Sequence, residues 1–218
     1  MVFLDCLRDG ATQAAAFAPT AAINLPEFDV RPVGEMGRVV GLADVEAALA
    51  AIDERASDGA SHVTPHVTLV LELPQRMNGG GTPSLSDLGA ISRLCHARSI
   101  RMHMDGARLW EVQPYYGVPL AEMAAFFDTV YVSFYKGVGS LASAALAGPQ
   151  TEIAQSKGWM ARRGCKLFTY GPYALSAEVQ LSAAGLAFES RWRRLCQMVT
   201  IVKTVAAEHG RAAHIVFD

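Results

Sequence analysis

Val67–Leu73 reads V-T-L-V-L-E-L, and this short run decides the fold. It is β-branched and apolar apart from Thr68 and Glu72, the pattern of a strand buried on both faces in a parallel sheet. Downstream, Pro74–Pro83 (PQRMNGGGTP) breaks the chain with three consecutive glycines. Ser84, with Asp87 three residues on, then reads as a capping box, and Leu85, Leu88, Ile91 and Leu94 supply the apolar stripe of the helix it opens. Upstream, Val45, Leu49 and Ile52 recur at helical spacing across Leu42–Ala56, and Gly59 and Ser61 stop that helix. The first forty residues are Ala-rich and weakly patterned, and their sequence places no element.

Beyond Leu94 the alternation continues. Ile100–Met104 reads as a strand, Leu120–Phe127 as a short helix, Thr129–Tyr135 (TVYVSFY) as a strand and Ala144–Leu146 as a further short strand before Gly148-Pro149. From Pro172 the pattern is helical to about Glu208, closed by His209-Gly210, and His214–Phe217 (HIVF) reads as one more strand. Strands alternating with helices predict an α/β fold, a three-layer α/β/α arrangement around a mostly parallel sheet. No internal repeat or low-complexity linker interrupts it.

Composition bounds the function. The 218 residues are 51% hydrophobic and 18% charged, which excludes a disordered chain. Nineteen Lys+Arg against 21 Asp+Glu leave a net charge of −2, no broad footprint for nucleic acid or an anionic membrane. The charge-free stretch Gly10–Pro26 is broken by Thr, Gln, Pro and Asn and does not read as a membrane span. No secretory h-region is visible at the N-terminus, and Cys6, Cys95, Cys165 and Cys196 lie far apart, as reduced thiols do. A cytoplasmic protein is the expectation.

Ligands of open α/β sheets sit outside the carboxyl ends of the strands. Glu72, Asp105 and Lys136 occupy such ends. The gap from Asp105 to Lys136 is about one strand–helix–strand unit, so both side chains can reach one crevice. A lysine ending an apolar strand before Gly137-Val138-Gly139 is a candidate nucleophile toward carbonyls, since burial favours its neutral amine. A Schiff-base lysine with an Asp partner for a pyridinium nitrogen is the protein side of pyridoxal-phosphate chemistry. Arg108, in D-G-A-R, adds a planar cation for a carboxylate or a phenolic oxygen. A helix-capping Asp and a surface Lys explain the same spacing.

HMDGAR at His103–Arg108 followed by SFYKG at Ser133–Gly137 resembles the paired signatures of the threonine aldolase/β-eliminating lyase family of fold-type-I pyridoxal-phosphate enzymes. LELPQR…GG at Leu71–Gly80 and RRGCKLFTYGP at Arg162–Pro172 resemble further segments, and the likeness runs with gaps from about Val30 onward. It implies pyridoxal 5'-phosphate as cofactor, with Lys136 and Asp105 catalytic: Lys136 as the Schiff-base lysine, Asp105 as partner of the ring nitrogen. Arg108 would bind the cofactor oxygen or the substrate carboxylate, and Ser133 would help to hold the phosphate. The implied reaction cleaves a threonine-like β-hydroxy-α-amino acid to glycine and an aldehyde, by a homodimer or homotetramer, without a metal. The residues name no base for the β-hydroxyl proton.

The departures carry expectations of their own. Family members are longer, Gly10-Ala11-Thr12 only weakly echoes their phosphate turn, and no His precedes His62 where a ring-stacking His is expected. The chain therefore reads as truncated at both ends. Residues 1–190 would be the large cofactor-binding domain, and 191–218 a connecting helix with the start of a small C-terminal domain. A poor enzyme that self-associates is expected. A β-eliminating lyase, or a silent fragment or pseudoenzyme acting as a dimer partner, stands as the alternative.

Other features have plainer readings. Gly137–Ala142 fits the relaxed dinucleotide pattern G-x-G-x-x-A, which requires a helix directly after the glycines. His62 and His66 flank Pro65 and lack the Glu of a zinc helix, so they read as loop histidines. His103 reads as a packed sheet residue. Trp110, Tyr115 and Tyr116 could line a pocket or pack under a loop. Arg191, Arg193 and Arg194 read as a solvent-facing helix side, and Glu72 as a cofactor contact or a structural hydrogen bond.

Overall fold

A computed structural model describes residues 13–17, 29–57, 66–165 and 167–211. The helix stop at Gly59 and Ser61, the Gly10–Thr12 turn, His62, Lys166 and the strand expected at His214–Phe217 lie outside the described residues.

Among the described residues, six strands form one sheet in the order β2-β1-β3-β4-β5-β6: β1 (Gln13–Phe17), β2 (Asp29–Pro32), β3 (His66–Glu72), β4 (Arg101–Gly106), β5 (Thr129–Ser133) and β6 (Ala144–Ala147). All pairings are parallel except β5 with β6. The helices are α1 (Leu42–Ser57), α2 (Leu85–Ala97), α3 (Leu109–Tyr116), α4 (Leu120–Ala124), α5 (Gln150–Arg162) and α6 (Gly171–Glu208), with a short 3-10 turn at Arg76–Asn78. The mostly parallel sheet flanked by helices is the α/β fold expected from the strand–helix alternation.

Alternation along the strands sorts the two faces. Leu69, Leu71, Met102, Met104 and Val130 bury one face against Val45 and Leu49 of α1 and Leu88, Ile91 and Cys95 of α2. The stripes expected from sequence are the ones that pack. Ser84 caps α2, its Oγ accepting the Asp87 N–H at 3.1 Å. Burial pushes the Cys95 thiol up to about 11, so it stays protonated in the core.

The opposite face carries Thr68, Val70, Glu72, His103, Thr129 and Ser133, all buried. His103 is packed as expected, its Nδ1 2.8 Å from Thr129 Oγ1. Burial drives its pKa down to about 3 and keeps the ring neutral.

At the far end of the same strands, Asp128 ties three elements together. Its Oδ2 accepts the Met102 N–H at 2.7 Å, and its Oδ1 pairs with Arg101 at 2.9 Å. Arg101 also pairs with Glu152 of α5. Helix α6 is continuous from Gly171 to Glu208, so the boundary expected at residue 190 falls inside one element.

Several details differ from expectation. β1 and β2 form in the Ala-rich region, and α3 and α5 were not foreseen. β5 ends at Ser133 rather than Tyr135, because the chain turns there. The Gly139 N–H bonds back to the Lys136 carbonyl and the Ser140 N–H to the Phe134 carbonyl, each at 2.9 Å. Gly137–Ala142 then runs into β6, not a helix, so the dinucleotide reading fails.

Candidate active site

The sheet register aligns the candidate groups. Glu72 pairs with Asp105 across β3 and β4, and Asp105 pairs with Tyr131 across β4 and β5. Paired residues of parallel strands share a face, so a carboxylate, a second carboxylate and a phenol stand side by side near the carboxyl ends. Asp105 is half-buried, and its Oδ1 accepts the Ala107 N–H at 3.1 Å, which sets the turn leading to Arg108 at the N-cap of α3. Burial first, then the hydrogen-bonding approach of Tyr135 and the charge of Asp105, push the Tyr131 phenol up to about 12. It remains a neutral donor at physiological pH.

Lys136 follows β5 by three residues and is half-buried, with Nζ 5.6 Å from the centre of the Tyr135 ring. The turn that carries it is braced on several sides. Ser133 is fully buried and its hydroxyl donates to the Ala107 carbonyl at 2.9 Å, joining the end of β5 to the turn after β4. Trp110 of α3 donates from Nε1 to the Ser133 carbonyl at 3.3 Å, and its ring lies 6.2 Å from that of Phe134. Trp110 thus packs beneath the Lys136 turn together with Val138, Leu181 and Phe188.

Two glycines mark close approaches. A Cβ on Gly106 would meet the Tyr131 carbonyl oxygen at 2.8 Å. A Cβ on Gly137 would overlap the Glu111 carboxylate. The fold therefore brings Asp105, Arg108 and Lys136 to neighbouring strand ends and fits the segments between them tightly.

Trp110 packs under a loop, one of the two readings its sequence offered, whereas sequence reasoning missed the braces Glu111 and Arg191. Arg191 is exposed, as its helix position implied, yet its Nη1 donates to the Gly137 carbonyl at 2.8 Å across 54 positions of sequence. Glu111 carried a weak signal, a charge in a helical turn next to apolar Leu109 and Val112. Tyr115 packs edge-on against both Tyr116 and Trp192, linking α3 to α6.

A pyridoxal ring requires an amine for its aldehyde, a carboxylate for its ring nitrogen and a cation for its oxygens. Lys136, Asp105 and Arg108 are an amine, a carboxylate and a guanidinium on adjacent elements, so the residues present fit the group. A mostly parallel sheet with this set at its carboxyl ends defines the large domain of a fold-type-I pyridoxal-phosphate enzyme.

The comparisons narrow the class. The model of the beta-eliminating lyase family matches residues 10–215, and the chain belongs to that family. It is 33% identical to a solved protein of Exiguobacterium sp. 255-15 that bears the provisional name aromatic amino acid beta-eliminating lyase/threonine aldolase. That match has a TM-score of 0.71 and covers 84% of this chain and 50% of the other. A second solved protein, provisionally an L-allo-threonine aldolase of Listeria monocytogenes, is 27% identical with a TM-score of 0.79, over 93% of this chain and 55% of that one. The low-specificity L-threonine aldolase of Eremothecium gossypii is 28% identical over 70% of this chain and 38% of its own length. The chain spans under half the length of such curated relatives and about half of the solved ones. Among the described residues no helix is long and apolar enough to cross a membrane.

Proposed function

We propose that this chain carries the pyridoxal-phosphate site of a lyase that cleaves a β-hydroxy-α-amino acid to glycine and an aldehyde. The observation that carries the reading is the alignment of Asp105 on β4 with the strand that leads directly into Lys136. When bound, the cofactor supplies an electron sink for the pair released at Cα. Asp105 holds a proton at the ring nitrogen, and the bond from Ala107 leaves its second oxygen for that contact. Lys136 binds the cofactor through its amine and takes up or returns a proton at Nζ when substrate replaces it. Arg108 orients the substrate carboxylate or the cofactor oxygen with its planar fork. Ser133, one turn before Lys136, braces this edge of the site.

The family name favours a second reading, elimination of a β-substituent at the same residues. The apolar residues Leu195, Met198, Ile201 and Val205, exposed along α6, support assembly as a homodimer or homotetramer.

The test mixes the purified chain with pyridoxal phosphate, reduces it with borohydride and maps the labelled peptide. Threonine and phenylserine are then assayed for glycine and aldehyde, and cysteine-like substrates for a keto acid. Label on Lys136 with aldehyde release supports the first reading, and keto acid alone supports the second. Label on Lys157 or another lysine with none on Lys136 defeats both.

A further inference from the structure

Gly137, the residue directly after Lys136, is held from two sides by charged groups on different helices. From α3, the Glu111 carboxylate lies against it: a Cβ there would overlap Oε1 and Cδ and sit 3.0 Å from Cγ. Glu111 Oε2 is buried with no hydrogen-bond partner among the described residues. From α6, Arg191 Nη1 donates to the Gly137 carbonyl at 2.8 Å, and its guanidinium lies 5.2 Å from the Phe188 ring. Phe188 in turn packs on Val138, so α6 holds two consecutive residues of the turn.

We propose that Glu111 and Arg191 are positioning residues for Lys136, clamping Gly137 so that the lysine backbone, and hence the reach of its amine, is set against Asp105. This rests on the reading of Lys136 as the cofactor-binding lysine. Adjacent Cα atoms are about 3.8 Å apart, so any shift of Gly137 passes almost undiminished to Lys136. Nucleophilic attack tolerates little of it, since a displacement of about 1 Å costs on the order of a hundredfold in rate. Any side chain at Gly137 would have to displace the Glu111 carboxylate from this contact. The condensation it serves is balanced in itself: the amine nitrogen bonds to the aldehyde carbon, and the carbonyl oxygen leaves as water.

The experiment titrates pyridoxal phosphate into the full chain, traps with borohydride at short times and quantifies label at Lys136 against the exposed Lys157 and Lys203. In the parent, label on Lys136 establishes the underlying reading. Arg191→Ala and Glu111→Ala should each slow labelling of Lys136 about tenfold, for a shift well under 1 Å. Labelling of Lys157 and Lys203 should stay within about twofold of the parent, as expected where the fold is intact. Glu111→Gln keeps the shape against Gly137 and should restore most of the rate. Because both groups act on one residue, the double Ala variant should lose less than the product of the single losses.

Lys136 labelled at the parental rate in both Ala variants overturns the clamp while leaving the cofactor assignment intact. Parallel loss at all three lysines shows an effect without selectivity for Lys136 and overturns it too. A parent in which Lys136 takes up label no faster than Lys157 and Lys203 defeats the assignment and the clamp together.

Discussion

Replacing Gly106 by Ala should destabilise the chain, while replacing Gly158 by Ala should stabilise it. Gly106 lies in β4 between Asp105 and Ala107, without a positive φ, so the substitution adds no backbone strain. It adds volume where none is free. The new methyl would face the Tyr131 carbonyl oxygen at 2.8 Å, Met104 Sδ at 3.1 Å and Leu109 Cβ at 3.2 Å. The tightest neighbour is backbone and cannot rotate away, so β5 must recede from β4. Overpacking of this kind costs about 1–3 kcal/mol. At about 2 kcal/mol, and about 2–4 °C per kcal/mol for a chain of this length, Tm falls by about 4–8 °C. Gly158 stands exposed in α5 with no atom within 4 Å of its added methyl. There alanine removes only the entropic penalty of a helical glycine and gains about 0.5–1 kcal/mol. Thermal melts followed by far-ultraviolet circular dichroism compare the two variants directly. A Gly106→Ala protein melting within about 1 °C of the parent would refute the close-approach argument, as it predicts several times that shift.

Other substitutions test the site and its supports. Asp105→Asn keeps the acceptor for the Ala107 N–H but removes the charge opposite the ring nitrogen. Aldehyde release by the loaded protein should then fall by more than about a hundredfold, roughly 2.7 kcal/mol of barrier, with Tm unchanged; parental turnover would sink the role. Asp128→Ala leaves the Met102 N–H without its acceptor and should lower urea stability by about 1–3 kcal/mol, whereas Arg101→Ala, at a half-exposed ion pair, should cost under about 1 kcal/mol. The pH dependence should carry the signature of His103, whose folded pKa of about 3 lies below its unfolded value. Between these values the unfolded chain binds the extra proton, so stability falls as pH falls, by about 1.4 kcal/mol per unit, or about 2 kcal/mol from pH 6.5 to 5. His103→Gln should flatten that slope, and urea titrations showing an unchanged slope would count against it.

What could be read from sequence followed how local the determining physics is. β3 was legible because V-T-L-V-L-E-L carries both propensity and burial in its own residues, and α2 because Ser84 and Asp87 form its cap within one turn. Helix α5 was not, since Ser156 is the only residue identified as buried in it and no apolar stripe marks its period. β1 reads Q-A-A-A-F, without β-branched residues, and its strand pairs on both sides with β2 and β3, partners distant in sequence. α3 hid behind Pro114, which a short helix tolerates here in its second half.

The site divides along the same line. Asp105, Arg108 and Lys136 could be named because the strands before them are locally coded and the ends of parallel strands converge whatever surrounds them. Their supports could not. Gly106 and Gly137 are visible in sequence as glycines, but the reason for each is an atom contributed from elsewhere: the Tyr131 carbonyl in one case, the Glu111 carboxylate in the other. Arg191 looked like one member of a solvent-facing basic cluster, and Arg193 is one, paired loosely with Glu189 on the same exposed helix side at 3.7 Å. Its donation to Gly137 and its stacking near Phe188 distinguish Arg191 from that neighbour, and the bond exists because α6 packs across α3 beside the lysine turn. The chemical groups of this site are thus written in short motifs, while the geometry that would make them reactive is held by residues whose own motifs are silent.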